Sequence, residues 1–426
     1  MSVTLSGNGA GSRRELPVLL IAAVFAALEG YDLASYGVTI PSLLESDLNV
    51  TKQSAGYVGS LLAIGMLVGA SLCALLIRKV GSRRLLLGGA GLFSIGMLVC
   101  AVAHTFGLFG LARTVVGLGV GIVLPTLTAY IADLSAPERR TRNVGAMMAG
   151  YAGGALLAAL LASFLLPEAS WRWIYGAGAL PAIVLLPLAI RVLPESPYTP
   201  ATTKLTTQRG DVGGLRSLFG SGVWLPTLLF WAISFCGLML VFGISTWLPT
   251  IMQAAGYSLG SSLLQAAAMW VGAAVGMVAG GRLAGRLGIK PVVVTSFLAG
   301  AAALLLMTLK PPLPLLFVLM FVSGLGFIGS QVLTNAFIVT RYPDHLRGPA
   351  IGWALSVGRF GAIVGPSMGG AILSSSLGVS WNFYLFAIPG VVGALLAACV
   401  PLIGAGRPVS GQHDAPGAPE AARANA

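Results

Sequence analysis

The sequence predicts an all-α polytopic membrane protein, with twelve transmembrane helices arranged as two six-helix repeats. Three observations predict it. Of the 426 residues, 56% are hydrophobic and only 9% are charged, whereas soluble chains carry about a quarter charged residues. Apolar runs that reach the roughly 20 residues a spanning helix needs recur twelve times. Landmarks of the first six runs return in the last six at a nearly constant offset. The 58 glycines fit the same class, because small residues let membrane helices approach closely.

The runs start near Leu16, Ser54, Leu85, Phe106, Val144 and Trp173, then near Val223, Ser262, Val292, Leu313, Ala350 and Phe383. The polar N-terminus ends in Arg13 and Arg14. The run after it is long and contains Glu29 and Asp32, so it reads as a span and not as a cleavable signal peptide. Between the sixth and seventh runs, Pro194 to Phe219 holds Pro194, Pro197, Pro200, a Thr-rich patch, Lys204, Arg209 and Arg216. The chain therefore divides into an N-terminal half over 1–193, a cytoplasmic linker over 194–219 and a C-terminal half over 220–404. Residues 405–426, rich in Ala, Pro and Gly, read as a disordered cytoplasmic tail.

Lys and Arg set the orientation. With the N-terminus inside, the cytoplasmic segments hold 20 of the 25 basic residues, and the outer loops hold only Lys52, Arg172 and Lys310. Under the positive-inside rule both termini are cytoplasmic. The Ala/Gly/Leu-rich usage points to a bacterial inner membrane. The repeat shows in Gly117-Leu-Gly and Gly324-Leu-Gly, 207 residues apart, and in Gly81 and Gly288 at the same offset. Pro137-Glu138 pairs with Pro343-Asp344, and Pro41 with Pro249. Two parallel repeats around a midplane site are a transporter architecture.

The net charge of +12 does not make a nucleic-acid surface, because the basic residues punctuate apolar runs instead of clustering in one domain. Cys73, Cys100, Cys236 and Cys399 lie singly in apolar runs and read as small core residues, with no zinc site or disulfide framework. Walker A, GxSxG, HExxH and paired CxxC motifs are all missing. An enzyme, a bound metal, a cofactor and ATP-driven transport are therefore not expected, and the driving force is an ion gradient or the substrate's own.

Glu29 and Asp32 sit in Leu28-Glu-Gly-Tyr-Asp-Leu, inside the first span. Charges at that depth cost several kcal/mol and persist mostly for function. Their i, i+3 spacing puts both on one helix face, where a carboxylate can take up and release a proton, or can brace the bundle by pairing with a buried Arg. Arg113 opens an RxxxGxGxG pattern on span four, and Glu29, Asp32 and Asp133 are its candidate partners. Arg359, in Val-Gly-Arg-Phe-Gly on span eleven, has no sequence-local acid. It can hold an anionic substrate through its fork or pair with backbone carbonyls. Gln331 and Asn335, four apart on span ten, either line the cavity or join helices. Tyr36, Phe242 and Trp247 either stack on an aromatic substrate or pack. His104, His345 and His413 fall in loops or the tail, which leaves proton relay to the carboxylates.

On these residues the chain resembles the major facilitator superfamily over nearly its whole length. Arg113 to Gly121 is similar to that family's motif B. The loops Arg78-Lys-Val-Gly-Ser-Arg-Arg and Gly281-Arg-Leu-Ala-Gly-Arg-Leu-Gly-Ile-Lys are similar to motif A and its second copy. Leu193-Pro-Glu-Ser-Pro resembles the segment that ends the first half of many proton symporters. Glu29-Gly-Tyr-Asp32, Trp247-Leu-Pro-Thr with Gly256-Tyr-Ser-Leu, and Val357-Gly-Arg-Phe-Gly-Ala-Ile-Val-Gly-Pro366 most resemble the aromatic acid:proton symporter family. The resemblance implies proton coupling at Asp32 and Glu29 together with Arg113. It implies substrate binding or gating at Arg359, and gating by Arg78, Arg83, Asp133 and Arg286. Three positions depart from the pattern. Glu29 replaces an Asp, and Arg78 and Gly285 stand where the two motif A copies carry acids. The antiporter pattern gxxxGPxxGG lies on span eleven, as Gly361 to Gly370, and not on span five.

The expected function is import of a small organic anion, an aromatic carboxylate, by a proton-coupled symporter using alternating access. Substrate contacts are assigned to Arg359, Asn335, Gln331, Tyr36 and Trp247, in a monomer whose partners are the anion, the proton and the bilayer. An exporter of drugs or metabolites in the same fold is the alternative. A transporter-like sensor or a membrane enzyme comes after it.

Overall fold

The computed structural model describes residues 10–135, 139–194, 215–220 and 223–401. Among them are twelve long α-helices. In the first half these are α1 (Ala10–Leu44), α2 (Lys52–Val80), α3 (Ser82–Val102), α4 (Phe106–Leu134), α5 (Arg140–Leu165) and α6 (Arg172–Val192). In the second half they are α7 (Trp224–Ala254), α8 (Leu259–Leu287), α9 (Ile289–Met307), α10 (Leu313–Arg341), α11 (Asp344–Ser374) and α12 (Ser380–Cys399). The expected tail and all but the ends of the expected linker lie outside the described residues, as does Pro137-Glu138. The linker's last turn is a 3₁₀ turn over Arg216–Phe219. Its Leu218 is buried, and the Leu218 carbonyl accepts the Thr227 hydroxyl at 2.9 Å.

Local chemistry starts several helices at one end of the bundle. Thr51 and Ser54 form a reciprocal capping box on α2. The Thr105 and Ser258 side chains cap α4 and α8. These starts and the short loops around them lie at the end away from the termini, called distal here; the other end is proximal. At the proximal turn between α2 and α3, Gly81 has φ 85°, and between α8 and α9 Gly288 has φ 87°. This left-handed conformation is open to glycine at little cost.

Eleven of the twelve helices are long and apolar enough to cross a membrane. The exception, α11, was expected as a span from Ala350. It carries Asp344 and Arg347 in its first turn, is dense in Gly and Ser, and packs on α7 and α2.

The two halves pack alike. In the first, α1 packs on α5, α2 on α4, α3 on α4, and α3 on α6; the second repeats this with α7 on α11, α8 on α10, α9 on α10, and α9 on α12. The repeat holds at single residues. A side chain at Gly117 would strike the Leu62 carbonyl of α2, and one at Gly324 would strike the Met269 carbonyl of α8. Leu62 and Met269 are themselves 207 residues apart. The glycines spaced along α4 and α10 therefore let neighbouring backbones touch.

The halves meet along α1–α7, α2–α11 and α5–α8. Among the described residues, the close backbone contacts between them cluster at the distal side. Gly37 of α1 abuts Ser245 of α7, while Gly56 and Gly59 of α2 abut Pro366 of α11. Cys73, Cys100 and Cys236 are buried as expected, but Cys399 is exposed because it closes the last turn of α12.

Candidate functional site

Glu29 and Asp32 lie near the middle of the span Leu16–Leu44 and are 3% and 1% exposed. Their depth follows from how α1 is held. Side chains at Gly150 and Gly154 of α5 would strike the carbonyls of Ala23 and Ala27, and one at Gly30 would strike that of Tyr151. This backbone seam fixes the rotation of α1, and so the direction its carboxylates take.

Asp32 forms a salt bridge with Arg113, and both side chains are buried. Of the three acids considered for Arg113, Asp32 is the partner. Asp133 is exposed near the end of α4. The guanidinium carbon stands 5.0 Å from the Tyr36 ring centre and 6.0 Å from that of Tyr175, within cation–π range. Phe109 and Trp171 complete the aromatic wall, with edge-on contacts to Tyr175 at 5.3 and 5.9 Å. The wall is itself pinned by hydrogen bonds. Tyr36 donates to the Ala55 carbonyl at 2.5 Å, Tyr31 to the Ile174 carbonyl at 2.8 Å, and the Tyr175 and Thr39 hydroxyls meet at 2.9 Å. Sequence reasoning missed Tyr175, Tyr31 and Phe109, which lie on α6, α1 and α4. Tyr31 stands inside the Glu29-Gly-Tyr-Asp32 motif, whereas Tyr175 and Phe109 had no signal beyond their place in apolar runs.

Both Glu29 oxygens are buried and have no hydrogen-bond partner among the described residues. Arg359, midway along α11 in the other half, is close enough for its charge and that of Glu29 to act on one another, with no ion pair or hydrogen bond between them among the described residues. A buried ion left without a hydrogen-bond partner is costly, so either a proton or a cation relieves Glu29.

Gln331 faces α7: a side chain at Gly237 would collide with its amide oxygen. Neither amide atom of Gln331 has a hydrogen-bond partner among the described residues, nor does the Asn335 carbonyl oxygen or the Ser234 hydroxyl on α7. Trp247 lies apart from this cluster. It is wholly buried, its indole N–H donates to the Pro366 carbonyl at 2.7 Å, and its ring packs on Gly369 and Gly370. Tyr36 belongs to the Arg113 wall.

The residues assigned to gating are scattered. The Arg83 guanidinium, at the start of α3, donates to the Ile190 carbonyl of α6. Arg286 is exposed near the end of α8. The Arg78 side chain lies outside the described residues. Among the described residues, no group of His, Cys, Asp and Glu is arranged to hold a metal ion.

Like halves around buried charges at the midplane define a secondary transporter. The chain belongs to the Major Facilitator Superfamily, whose family model matches residues 22–289 and again 259–421. It is 34% identical over 388 residues to the gentisate transporter of Corynebacterium glutamicum, covering 90% of this chain and 87% of that one. It is 30% identical to the benzoate transport protein of Acinetobacter baylyi, covering 88% and 87%. Among solved structures, a D-xylose-proton symporter superposes with a TM-score of 0.75 at 20% identity, over 90% of this chain and 97% of that one. That likeness speaks for the fold.

Proposed function

We propose that the protein is a proton-coupled symporter that imports a small aromatic carboxylate across the inner membrane, with both termini cytoplasmic. One observation carries this reading: of the two mid-span acids of α1, Asp32 is ion-paired with Arg113 in its own half, while neither oxygen of the buried Glu29 has a hydrogen-bond partner among the described residues. The named activities of the relatives, gentisate and benzoate transport, support the substrate class.

The chemistry is an exchange at Arg359. Its fork suits a substrate carboxylate bidentately, and binding there takes Arg359 away from Glu29. The bared Glu29 then gains by accepting a proton, so anion and proton load together. Asp32 remains tied to Arg113 until a proton on it releases the guanidinium and lets α1 and α4 shift. The distal seal around Pro366 faces outward in this orientation, and rocking of the halves opens one side as it closes the other. Residues 194–219 join the halves on the cytoplasmic side, and one chain suffices for the cycle.

Uptake of labelled benzoate and gentisate into proteoliposomes, with and without a protonophore, tests the reading. Collapse of accumulation by the protonophore, and its loss in Asp32→Asn and Glu29→Gln, is the expected result. Accumulation indifferent to the proton gradient refutes the coupling.

A further inference from the structure

The two halves repeat each other closely, so a place where they differ needs a reason. One such place is the proximal part of α8 and α9. An open groove of about 490 Å³ lies between these helices, backed by Leu325 of α10 and lined in part by Ala279, Gly280, Arg282, Arg286 and Ala299. Its volume is that of a small-ligand cleft.

At the 207-residue offset the first half carries Leu72, Cys73, Leu75 and Leu92 where the second has Ala279, Gly280, Arg282 and Ala299. There Cys73 closes with Leu85 and Ile122 into a small buried apolar cluster, and Leu76, Ile77 and Leu118 pack against it. At these four positions the second half carries smaller side chains at three and a cation at the fourth, and its counterpart of the buried Cys73 is a glycine.

The surroundings face lipid. Val278, Leu283, Leu287 and Leu298 are exposed large apolar residues beside it. Arg282 and Arg286 are one turn apart on one face of α8, in the last turns before the helix ends at Leu287. No acidic residue lines the groove among the described residues. A third cation, Lys290, sits just past the turn and donates to the Val400 carbonyl at 2.8 Å. From Arg286 inward to Gly276 the groove follows about 15 Å of helix, at 1.5 Å per residue. A cationic mouth at the membrane surface, continued by a smooth apolar trough into the hydrocarbon, complements an anionic headgroup with a chain attached.

We propose that this groove binds one anionic phospholipid from the leaflet on the side of the termini. Its phosphate lies on Arg282 and Arg286, and an acyl chain runs over Ala279, Gly280 and Ala299. The proposal does not depend on what the protein transports.

The test uses the full chain in nanodiscs of phosphatidylethanolamine with phosphatidylglycerol, read by native mass spectrometry after release into detergent. The wild type is expected to retain one phosphatidylglycerol in preference to phosphatidylethanolamine. Arg282→Gln with Arg286→Gln removes the charge from exposed positions, and retention should fall about fivefold for each arginine removed. Ala279→Leu with Ala299→Leu keeps both arginines and fills the trough with the leucines the first half carries at these positions, Leu72 and Leu92; retention should again be lost. A single sharp elution peak and an unchanged melting temperature confirm folding, and Ala299→Leu alone replaces the pair if these fail. Equal retention in all variants overturns the proposal. So does loss in the arginine variant alone, which would mean headgroup adsorption without a groove, or a second copy of the chain appearing in place of lipid.

Discussion

Ser60 on α2 and Ser367 on α11 meet hydroxyl to hydroxyl at 2.6 Å, across the boundary between the two halves. Ser60 donates in turn to the Ile363 carbonyl at 2.5 Å, so Ser367 is the donor to Ser60. The link sits on the distal side, where Gly59 abuts Pro366. If the halves rock, this contact must break in every cycle. Cysteines at both positions fall within the reach of a disulfide. Oxidation of Ser60→Cys with Ser367→Cys is expected to abolish uptake, and reduction to restore it. Uptake unchanged by a disulfide confirmed on gels would show that this seal never opens.

The Asp32–Arg113 pair makes a second prediction. Removing one member of a buried ion pair strands the other and costs about 3–5 kcal/mol, whereas removing both costs much less. Arg113→Gln and Asp32→Asn should each lower the melting temperature in detergent. The double variant should be more stable than the sum of the two, although it should not accumulate substrate. Additive losses would mean that the two side chains do not support one another.

A third prediction concerns the seam of α1 and α5. Gly154→Ala puts a methyl group against the Ala27 backbone, which has no flexible side chain to yield. Overpacking of this kind costs about 1–3 kcal/mol. The variant should melt earlier and transport poorly, while Gly153→Ala, which meets open space, should be silent in both measurements.

Gln331 supplies a fourth. Its amide is buried beside Gly237 with no hydrogen-bond partner among the described residues, an arrangement that would suit a polar substituent on the substrate ring. Gln331→Leu is expected to raise KM for gentisate up to about tenfold, the worth of one ordinary hydrogen bond, and to leave KM for benzoate nearly unchanged. Equal effects on both acids would place Gln331 outside the ring contacts.

Much of this architecture was legible before any coordinates, because lipid imposes a strong constraint on a spanning sequence. Several helices begin a few residues earlier than their apolar runs, as at Ser82 against Leu85 and Arg140 against Val144, because their first turns are polar and do not count toward an apolar run. The Arg113 pairing was narrowed to three acids by scarcity alone; depth excludes Asp133, and only the folded geometry chooses Asp32 over Glu29. Arg359 shows the limit: its counter-charge is on another helix in another half, and no local pattern carries that. Trp247 shows another. Its motif stood out, yet packing against Gly369 and a bond to Pro366 occupy it. The Ser60–Ser367 contact joins two common residues at no fixed spacing, so nothing along the chain announces it.

The glycine seam has a mechanical consequence. Two rods in backbone contact at Gly30, Gly150 and Gly154 cannot slip past each other a turn at a time without bulk meeting bulk, so α1 and α5 travel as a single lever. The far side of that lever rests on α8 of the opposite lobe. If the halves rock, a change of charge at the acids of α1 would be felt at the α5–α8 boundary through this paired lever.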